Sequence, residues 1–264
     1  MFPTIIAAIT TLLTLAGFGY TLIAIWSARA FLRRPRFLTG FAPPVTILKP
    51  LRGVDPAMAE AFASHCRQQY PGDYEILFGV SSLDDPAVAA VLQLQSEFPG
   101  RDLRLIVCPE SLGPNGKISV VVQLLPHARY DYFVLNDSDI HVGPHYLTRV
   151  LAPFANTTSQ KPVGLVTALY RGLTHGTLFS KLEALGISTD FMPSVLTARL
   201  LERGLHFGLG STLAFSRAAL DAAFPNGLVP VAEYIADDYQ LGAQIDRAGF
   251  RVELAAEVVE TSVP

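Results

Sequence analysis

The sequence predicts an α/β domain built on a mostly parallel sheet with helices on both faces, preceded by one membrane-crossing helix. Three observations carry this expectation. Runs rich in β-branched and aromatic residues alternate four times with helical stretches through the first half of the 264-residue chain, joined by short links. The stretch Ile5 to Trp26 contains no charge. At ~1.5 Å per residue it makes a helix of about 33 Å, which suits a hydrocarbon core of about 30 Å. Acidic clusters also recur at the ends of predicted strands, where open α/β sheets bind their ligands.

The N-terminal helix divides the chain. Tyr20 and Trp26 lie toward its far end, where aromatic side chains favour the membrane interface, and Arg29, Arg33, Arg34 and Arg36 follow at once. Positive charge marks the cytoplasmic flank, so the N-terminus is expected outside and the rest in the cytoplasm. A cleaved signal peptide fits poorly, because no basic residue precedes the apolar run and the run is too long. The expected division is an anchor at 1–28, a basic juxtamembrane linker at 29–43 and one large domain at 44–264.

Pro43-Pro44 closes the linker, and Val45 to Leu48 is the first strand, ended by Pro50. Asp55-Pro56 opens a helix with Asp as N-cap and Pro in the first turn, running to about Gln69. Tyr74 to Val80 is the second strand. Asp85-Pro86 opens the second helix, to about Phe98. Leu103 to Cys108 is the third strand, Lys117 to Leu125 the third helix, and Tyr132 to Asn136 the fourth strand. The second half is less regular. Val163 to Leu169 is a strand, and Phe179 to about Arg203 is helical with an interruption near Met192-Pro193. A glycine-rich bend at Gly208 to Thr212 leads into a strand at Leu213 to Ser216. Ala236 to Ala248 is a helix and Val252 to Leu254 a final strand.

Composition narrows the function. Half the residues are hydrophobic and 16% charged, with a net charge of −3 and no basic stripe interleaved with aromatics, so nucleic acid is not an expected partner. Cys66 and Cys108 lack metal-ligand spacing and read as two buried, reduced thiols.

The chemistry concentrates at three acidic clusters and one lysine. Asp137 and Asp139 sit just past the fourth strand, and two carboxylates at i and i+2 can share one hard cation. Mg²⁺ or Mn²⁺ takes such oxygen ligands and completes its shell with a substrate diphosphate. The plainer reading is turn residues or a helix cap before Gly143-Pro144. Asp84-Asp85 follow the second strand, with Asp85 also well placed as a cap before Pro86. Asp237-Asp238 start a late helix, where the helix dipole favours negative charge. Gly113 to Lys117 is a flexible loop with one cation, but it lacks the spacing and hydroxyl of a P-loop. His206 beside Gly208 reads as structural more readily than as an acceptor contact. Leu178 to Leu205 is either an ordinary buried helix pair or an amphipathic segment on a membrane.

Six pieces in order carry a family resemblance: Val45 to Asp55, Asp84 to Ala87, Gly113 to Lys117, Asp137-Ser138-Asp139, Val163 to Val166, and Tyr234 to Tyr239. Together they make the chain, from about Pro44 to Pro264, resemble the family 2 glycosyltransferases with a GT-A fold, in particular the ceramide glucosyltransferase and bacterial hopanoid-associated types. The resemblance implies transfer of a hexose (glucose or N-acetylglucosamine) from a UDP-sugar to a membrane lipid alcohol, with inversion and with a divalent metal. It implies that Lys49, Pro50, Asp84 and Asp85 lie by the uracil and ribose, and Lys117 near the nucleotide or its phosphates. Asp137 and Asp139 would hold the metal and diphosphate. Asp238, and less readily Asp237, would be the general base.

Two departures from the family pattern stand out. Ser81-Ser82 replace a place where relatives often carry an acid, which leaves the division of roles between Asp84 and Asp85 open. The Gln-x-x-Arg-Trp type motif that follows the base in relatives, usually with further membrane segments, is absent before Pro264, and the only Trp is Trp26, so either the sequence is truncated or this is a shortened homologue. A second reading is therefore a non-catalytic nucleotide-sugar-binding remnant or subunit of the same fold. A phosphatase of the haloacid dehalogenase type is disfavoured, because three strand–helix units precede Asp137 and His141 stands where a Thr or Val is required.

Overall fold

The computed structural model describes residues 2–34, 40–55, 57–156 and 161–263. Helix α1 (Phe2–Leu32) is long and apolar enough to cross a membrane. Its last turns pack on the rest of the chain: Ala24, Ser27 and Phe31 are buried. Arg34 donates to the Leu254 carbonyl at 2.9 Å and pairs with Glu253 at 3.6 Å. The basic stretch expected as a linker from residue 29 thus begins as helix; Arg36 lies outside the described residues.

The remainder is built on one seven-stranded sheet. The strands are β1 (Val45–Pro50), β2 (Tyr74–Val80), β3 (Asp102–Val107), β4 (Tyr132–Leu135), β5 (Val163–Thr174), β6 (Leu213–Ser216) and β7 (Arg251–Val263). Their order is β3-β2-β1-β4-β6-β5-β7. β1 to β4 are mutually parallel, β6 runs antiparallel to both neighbours, and β5 and β7 pair in parallel. The sheet is therefore mostly parallel, as the alternating pattern predicts, with one reversed strand inside it. Such strands are covered on both faces. One apolar cluster gathers Ile47, Phe62, Phe78, Val134 and Tyr146 on one face, and another gathers Leu48, Leu77, Phe133, Phe215 and Leu254 on the other.

Helices α2 (Met58–Cys66), α3 (Ala87–Glu97), α4 (Gly116–Leu124) and α5 (Tyr146–Leu151) serve the first half. In the second half stand α6 (Leu178–Gly186), α7 (Met192–Leu201), α8 (Arg217–Ala223) and α9 (Asp237–Arg247). Asp55 does not cap α2: the helix starts later, after Ala57 at φ 61°, and the Asp55 carboxylate accepts a short hydrogen bond from the Ser138 hydroxyl. Pro56 lies outside the described residues. The break expected at Met192-Pro193 is instead a π-helical turn, Ile187–Phe191, that joins α6 to α7. Proline lacks the amide hydrogen and crowds the carbonyl four residues back, and a wider turn accommodates both without ending the helix. β5 and β7 run well past their expected ends because they pair with each other from Leu169↔Val258 to Thr174↔Val263, beyond a register shift. Cys66 and Cys108 are free and buried, as expected.

Candidate functional site

Strand order 3-2-1-4 reverses between β1 and β4, and the crevice at the carboxyl ends of those two strands is where this topology places a ligand. Pro50 ends β1, and Asn136 to Asp139 follow β4. The loop is fixed from below by Asn136, which is fully buried. Its Nδ2 donates to Tyr146 Oη at 2.9 Å and to the Ser211 carbonyl at 2.8 Å, and its Oδ1 meets His65 Nε2 at 3.2 Å. Burial, with Lys49 nearby, holds the His65 pKa well below the usual histidine range, so the ring is neutral.

Lys49 is also fully buried, and its Nζ donates to the Asp137 carbonyl at 2.9 Å. Burial draws its pKa down to about 7 against the opposing pull of Asp137 and Asp139. Lysine at this place therefore props the loop from beneath and does not line the crevice.

Each acidic group has a defined setting. Asp137 Oδ1 accepts from Lys117 Nζ at 2.6 Å, and the same ammonium lies 3.5 Å from Asp237 Oδ2. Burial disfavours the charge on Lys117, but Asp137 and Asp237 outweigh it and raise its pKa above the ordinary lysine value. Asn115 caps α4 by accepting from Ile118 N at 3.1 Å, and its Nδ2 donates to Asp237 Oδ1 at 3.2 Å. Asp237 is buried in this arrangement. Asp139 Oδ2 accepts from Thr261 Oγ1 and, at 3.0 Å, from Ser262 N, so the far end of β7 holds the second carboxylate of the loop. Asp238 turns the other way from Asp237: its Oδ2 accepts from Gly210 N at 2.7 Å. A methyl group on Gly210 would stand 3.3 Å from Asp137 Oδ2 and 3.4 Å from Asp238 Oδ2. Glycine here lets two carboxylates from different elements approach one point.

Two cavities open on either side of Asp137. The first, about 500 Å³, is lined by Pro50, Arg52, Ser81, Lys117 and Ser138 among others. The second, about 350 Å³, is lined by Asp137, Asp238, Tyr170, Glu183 and Gly210 among others. Asp84 and Asp85 stand away from both linings. Asp85 accepts from Gly53 N at 3.0 Å and from Ala87 N at 2.9 Å, which ties the loop after β1 to the start of α3. Asp84 is exposed and takes a hydrogen bond from the Ser82 hydroxyl at 3.3 Å. His206 pairs with Asp246 at 3.0 Å, away from both cavities.

The donor set suits a hard cation that needs substrate to complete its shell. Asp137 lines both cavities, Asp139 lies two residues further on, outside both linings and with one oxygen held by β7, and no group of three or more His, Cys, Asp or Glu side chains among the described residues forms a closed metal cage. Mg²⁺ and Mn²⁺ are commonly held in this open way, by one or two carboxylates plus phosphate oxygens.

Comparison with known proteins decides the family. The sequence pattern of glycosyl transferase family 21 matches residues 9–264. The chain belongs to that family. The resemblance read from the sequence is to family 2; the pattern that spans the chain is that of family 21. Ceramide glucosyltransferase 3 of Caenorhabditis elegans is 25% identical over 267 residues, covering 94% of this chain and 54% of the relative. Ceramide glucosyltransferase of Komagataella phaffii is 32% identical over 109 residues, 40% of this chain and 21% of the relative. The chain thus spans about half the length, or less, of these curated relatives. Among solved structures, the mannosyltransferase PcManGT from Pyrobaculum calidifontis, in complex with GDP-Man and Mn²⁺, superposes with a TM-score of 0.67 at 23% identity, over 97% of this chain and 68% of that one. TarS of S. aureus gives 0.55 at 12% identity, over 83% and 60%. These likenesses establish a GT-A-like fold.

Proposed function

We propose that this family 21 chain is a membrane-anchored, inverting glycosyltransferase that moves a hexose, glucose or N-acetylglucosamine, from a UDP-sugar to a lipid alcohol. The observation that carries the reading is the convergence at Gly210. Asp137, from the loop after β4, and Asp238, from the start of α9, approach a single point in the wall of the smaller cavity, and Asp137 also lines the larger one. In this reading the larger cavity, with Arg52 and Lys117 in its lining, takes the nucleotide and diphosphate. The smaller takes the acceptor head.

Asp238 is the general base. Its Oδ2 accepts from the Gly210 amide and its Oδ1 from the Tyr239 amide, each at 2.7 Å, and it lines the acceptor cavity, whereas Asp237 is turned toward Lys117 and Asn115. Asp238 removes the proton from the acceptor hydroxyl as that oxygen bonds to the anomeric carbon. The bond from this carbon to the diphosphate oxygen breaks, its electron pair leaves with UDP, and the configuration inverts. Lys117 holds positive charge beside the diphosphate, and Lys49 fixes the carbonyl of Asp137. Asp137 and Asp139 would hold a Mg²⁺ or Mn²⁺ ion, which neutralises charge on the leaving diphosphate. Pro50 lines the nucleotide cavity; Asp84 and Asp85 lie outside that lining, with Asp85 fixing the loop after β1 through the Gly53 amide.

The membrane side supports a lipid acceptor. α7 packs along α1, with Tyr20 Oη 3.0 Å from Ser194 Oγ. α6 exposes Leu178, Phe179, Leu182 and Leu185, with Phe179 80% exposed. α6 runs into α7 through the π-helical turn, and an apolar face on such a segment suits the boundary of headgroups and acyl chains. With the N-terminus outside, the site lies at the cytoplasmic surface. The test is Asp238→Asn in the full-length protein. UDP binding is expected to remain and transfer to fall by about 10²- to 10⁴-fold; surviving turnover would remove Asp238 as the base.

A further inference from the structure

A third cavity, of about 220 Å³, lies away from the crevice, on the side of the domain that meets the end of α1. Its lining gathers cations from three elements: Lys161 just before β5, Arg199 and Arg203 at the end of α7, and Arg251 at the start of β7. A bridge between Leu205 and Val252 ties the chain after α7 to β7 and so sets these side chains beside one another.

Asp246, Glu253 and His206 also line the cavity, and both acids are already engaged. Asp246 meets His206 Nδ1 at 3.0 Å. Glu253 meets Arg251 Nη1 at 3.1 Å and Arg34 Nη2 at 3.6 Å. Neither Arg199 nor Arg203 has an ion pair or a side-chain hydrogen bond among the described residues. Arg251 Nε and Nη2 are buried and meet no acceptor there either. Burial, and next the charge of Arg34, lower the Arg199 pKa against the pull of Glu253. Helix geometry explains only part of this. A cation in the last turn of a helix is ordinary, because the free carbonyls attract it. Arg203 is not: it follows the cap of α7 at φ 58°, where helices most often place glycine, so the turn itself does not call for an arginine.

Guanidinium groups match phosphate oxygens in both charge and geometry. The volume is below the roughly 300–1,000 Å³ of pockets that take a drug-sized ligand, so the cavity suits a small head group. Its position points to the source. Arg34 follows directly on the helix that is long and apolar enough to span a membrane, donates to the Leu254 carbonyl, and pairs with Glu253 of the lining. Lipid phosphates stand at the level where such a helix leaves the bilayer, and cations beside it attract anionic lipids.

We propose that this cavity is a second anion site, separate from the crevice, that takes the phosphate of an anionic lipid head. Arg199 and Arg203 donate to the phosphate oxygens, and Arg251 turns its unpaired N–H groups toward them. A free phosphate shares this chemistry; the place beside α1 favours the lipid. The inference rests on the membrane-anchor reading and is independent of the reaction at the crevice.

The test is calorimetry on the full chain in dodecylmaltoside micelles, with UDP and Mn²⁺ present throughout to occupy the crevice. Dioctanoyl phosphatidic acid, dioctanoyl phosphatidylcholine and inorganic phosphate are compared. Phosphatidic acid is expected to bind saturably and about tenfold or more tighter than either of the others, the size of one hydrogen bond between charged groups. Binding should weaken as salt rises, because attraction at a partly open site is screened. Arg203→Gln is expected to weaken it about tenfold, and Arg199→Gln with Arg203→Gln about a hundredfold, while Arg203→Lys falls between wild type and Arg203→Gln. Arg203 is exposed, so its variants fold; an unchanged melting temperature checks the double variant. No saturable binding of phosphatidic acid, or equal binding by wild type and double variant, overturns the inference. Inorganic phosphate that binds as tightly as phosphatidic acid, and is lost in the double variant, overturns the lipid as the source. A wild type that binds phosphatidic acid through these arginines but fails to bind UDP supports this site and contradicts the transferase reading alone.

Discussion

Gly210→Ala probes the convergence on which the functional reading stands. The new methyl would stand 3.3 Å from Asp137 Oδ2 and 3.4 Å from Asp238 Oδ2, tighter than most side-chain contacts, so at least one carboxylate must give way by a few tenths of an ångström. Asp238 has little slack, because the same oxygen accepts from Gly210 N at 2.7 Å. Gly210 is not among the glycines with left-handed φ, so alanine is compatible with the backbone. The cost therefore falls on the site and not on the fold. Misplacing reactive groups by up to about 1 Å can lose about 10²-fold in rate, so a smaller shift is expected to lower kcat by about 10- to 100-fold. The melting temperature should stay within a few degrees of wild type. The assay is transfer of radiolabelled sugar from UDP-sugar to a lipid alcohol in nanodiscs, with kcat and KM determined separately. A folded variant with kcat within about twofold of wild type, well below the loss expected for displaced reacting groups, would refute the shared site.

Other consequences are equally direct. Asp139→Ala should abolish metal-dependent UDP binding as measured by calorimetry, while full binding would remove Asp139 from the metal site. His65 is buried and neutral, with its folded pKa below the unfolded value of 6.5. Between those two values the unfolded chain binds the extra proton, so stability is full above pH 6.5 and is lost as pH falls below it, by up to about 1.4 kcal/mol per pH unit. His65→Gln should flatten that part of the stability profile in denaturant titrations at pH 7 and pH 5; an unchanged slope would contradict the assignment. Replacing Phe179 and Leu182 by Ser should weaken transfer to bilayer-embedded acceptors several-fold while leaving UDP binding intact, and equal activity on vesicles would argue against a membrane role for α6.

The first half of the fold was legible because its strands are short apolar runs between turn residues. Tyr74 to Val80 and Leu213 to Ser216 are strands over the expected residues. The long pairing of β5 with β7 was not legible. The polar residues Glu257, Glu260, Thr261 and Ser262 interrupt any apolar pattern, and only a partner strand distant in sequence makes them extended. Their cost was functional, since Thr261 and Ser262 hold Asp139. The acidic clusters were visible as clusters, but their roles depend on direction. Asp237 and Asp238 are neighbours in sequence, yet one turns to Lys117 and the other to Gly210. The family resemblance implies a place by the nucleotide for Lys49; strand alternation instead sends its side chain beneath the loop. Gly210 carries no local signature. A glycine-rich bend becomes informative only when α9 and β4 are brought beside it.

In the proposed reaction Asp137 and Asp139 present a divalent metal and the diphosphate of a UDP-sugar at this crevice. Calorimetric titration of UDP into the protein, first with Mn²⁺ and then with EDTA, tests it most directly. Saturable binding is expected with Mn²⁺ and is expected to disappear with EDTA. Equal binding in the two conditions, or none in either, would contradict it.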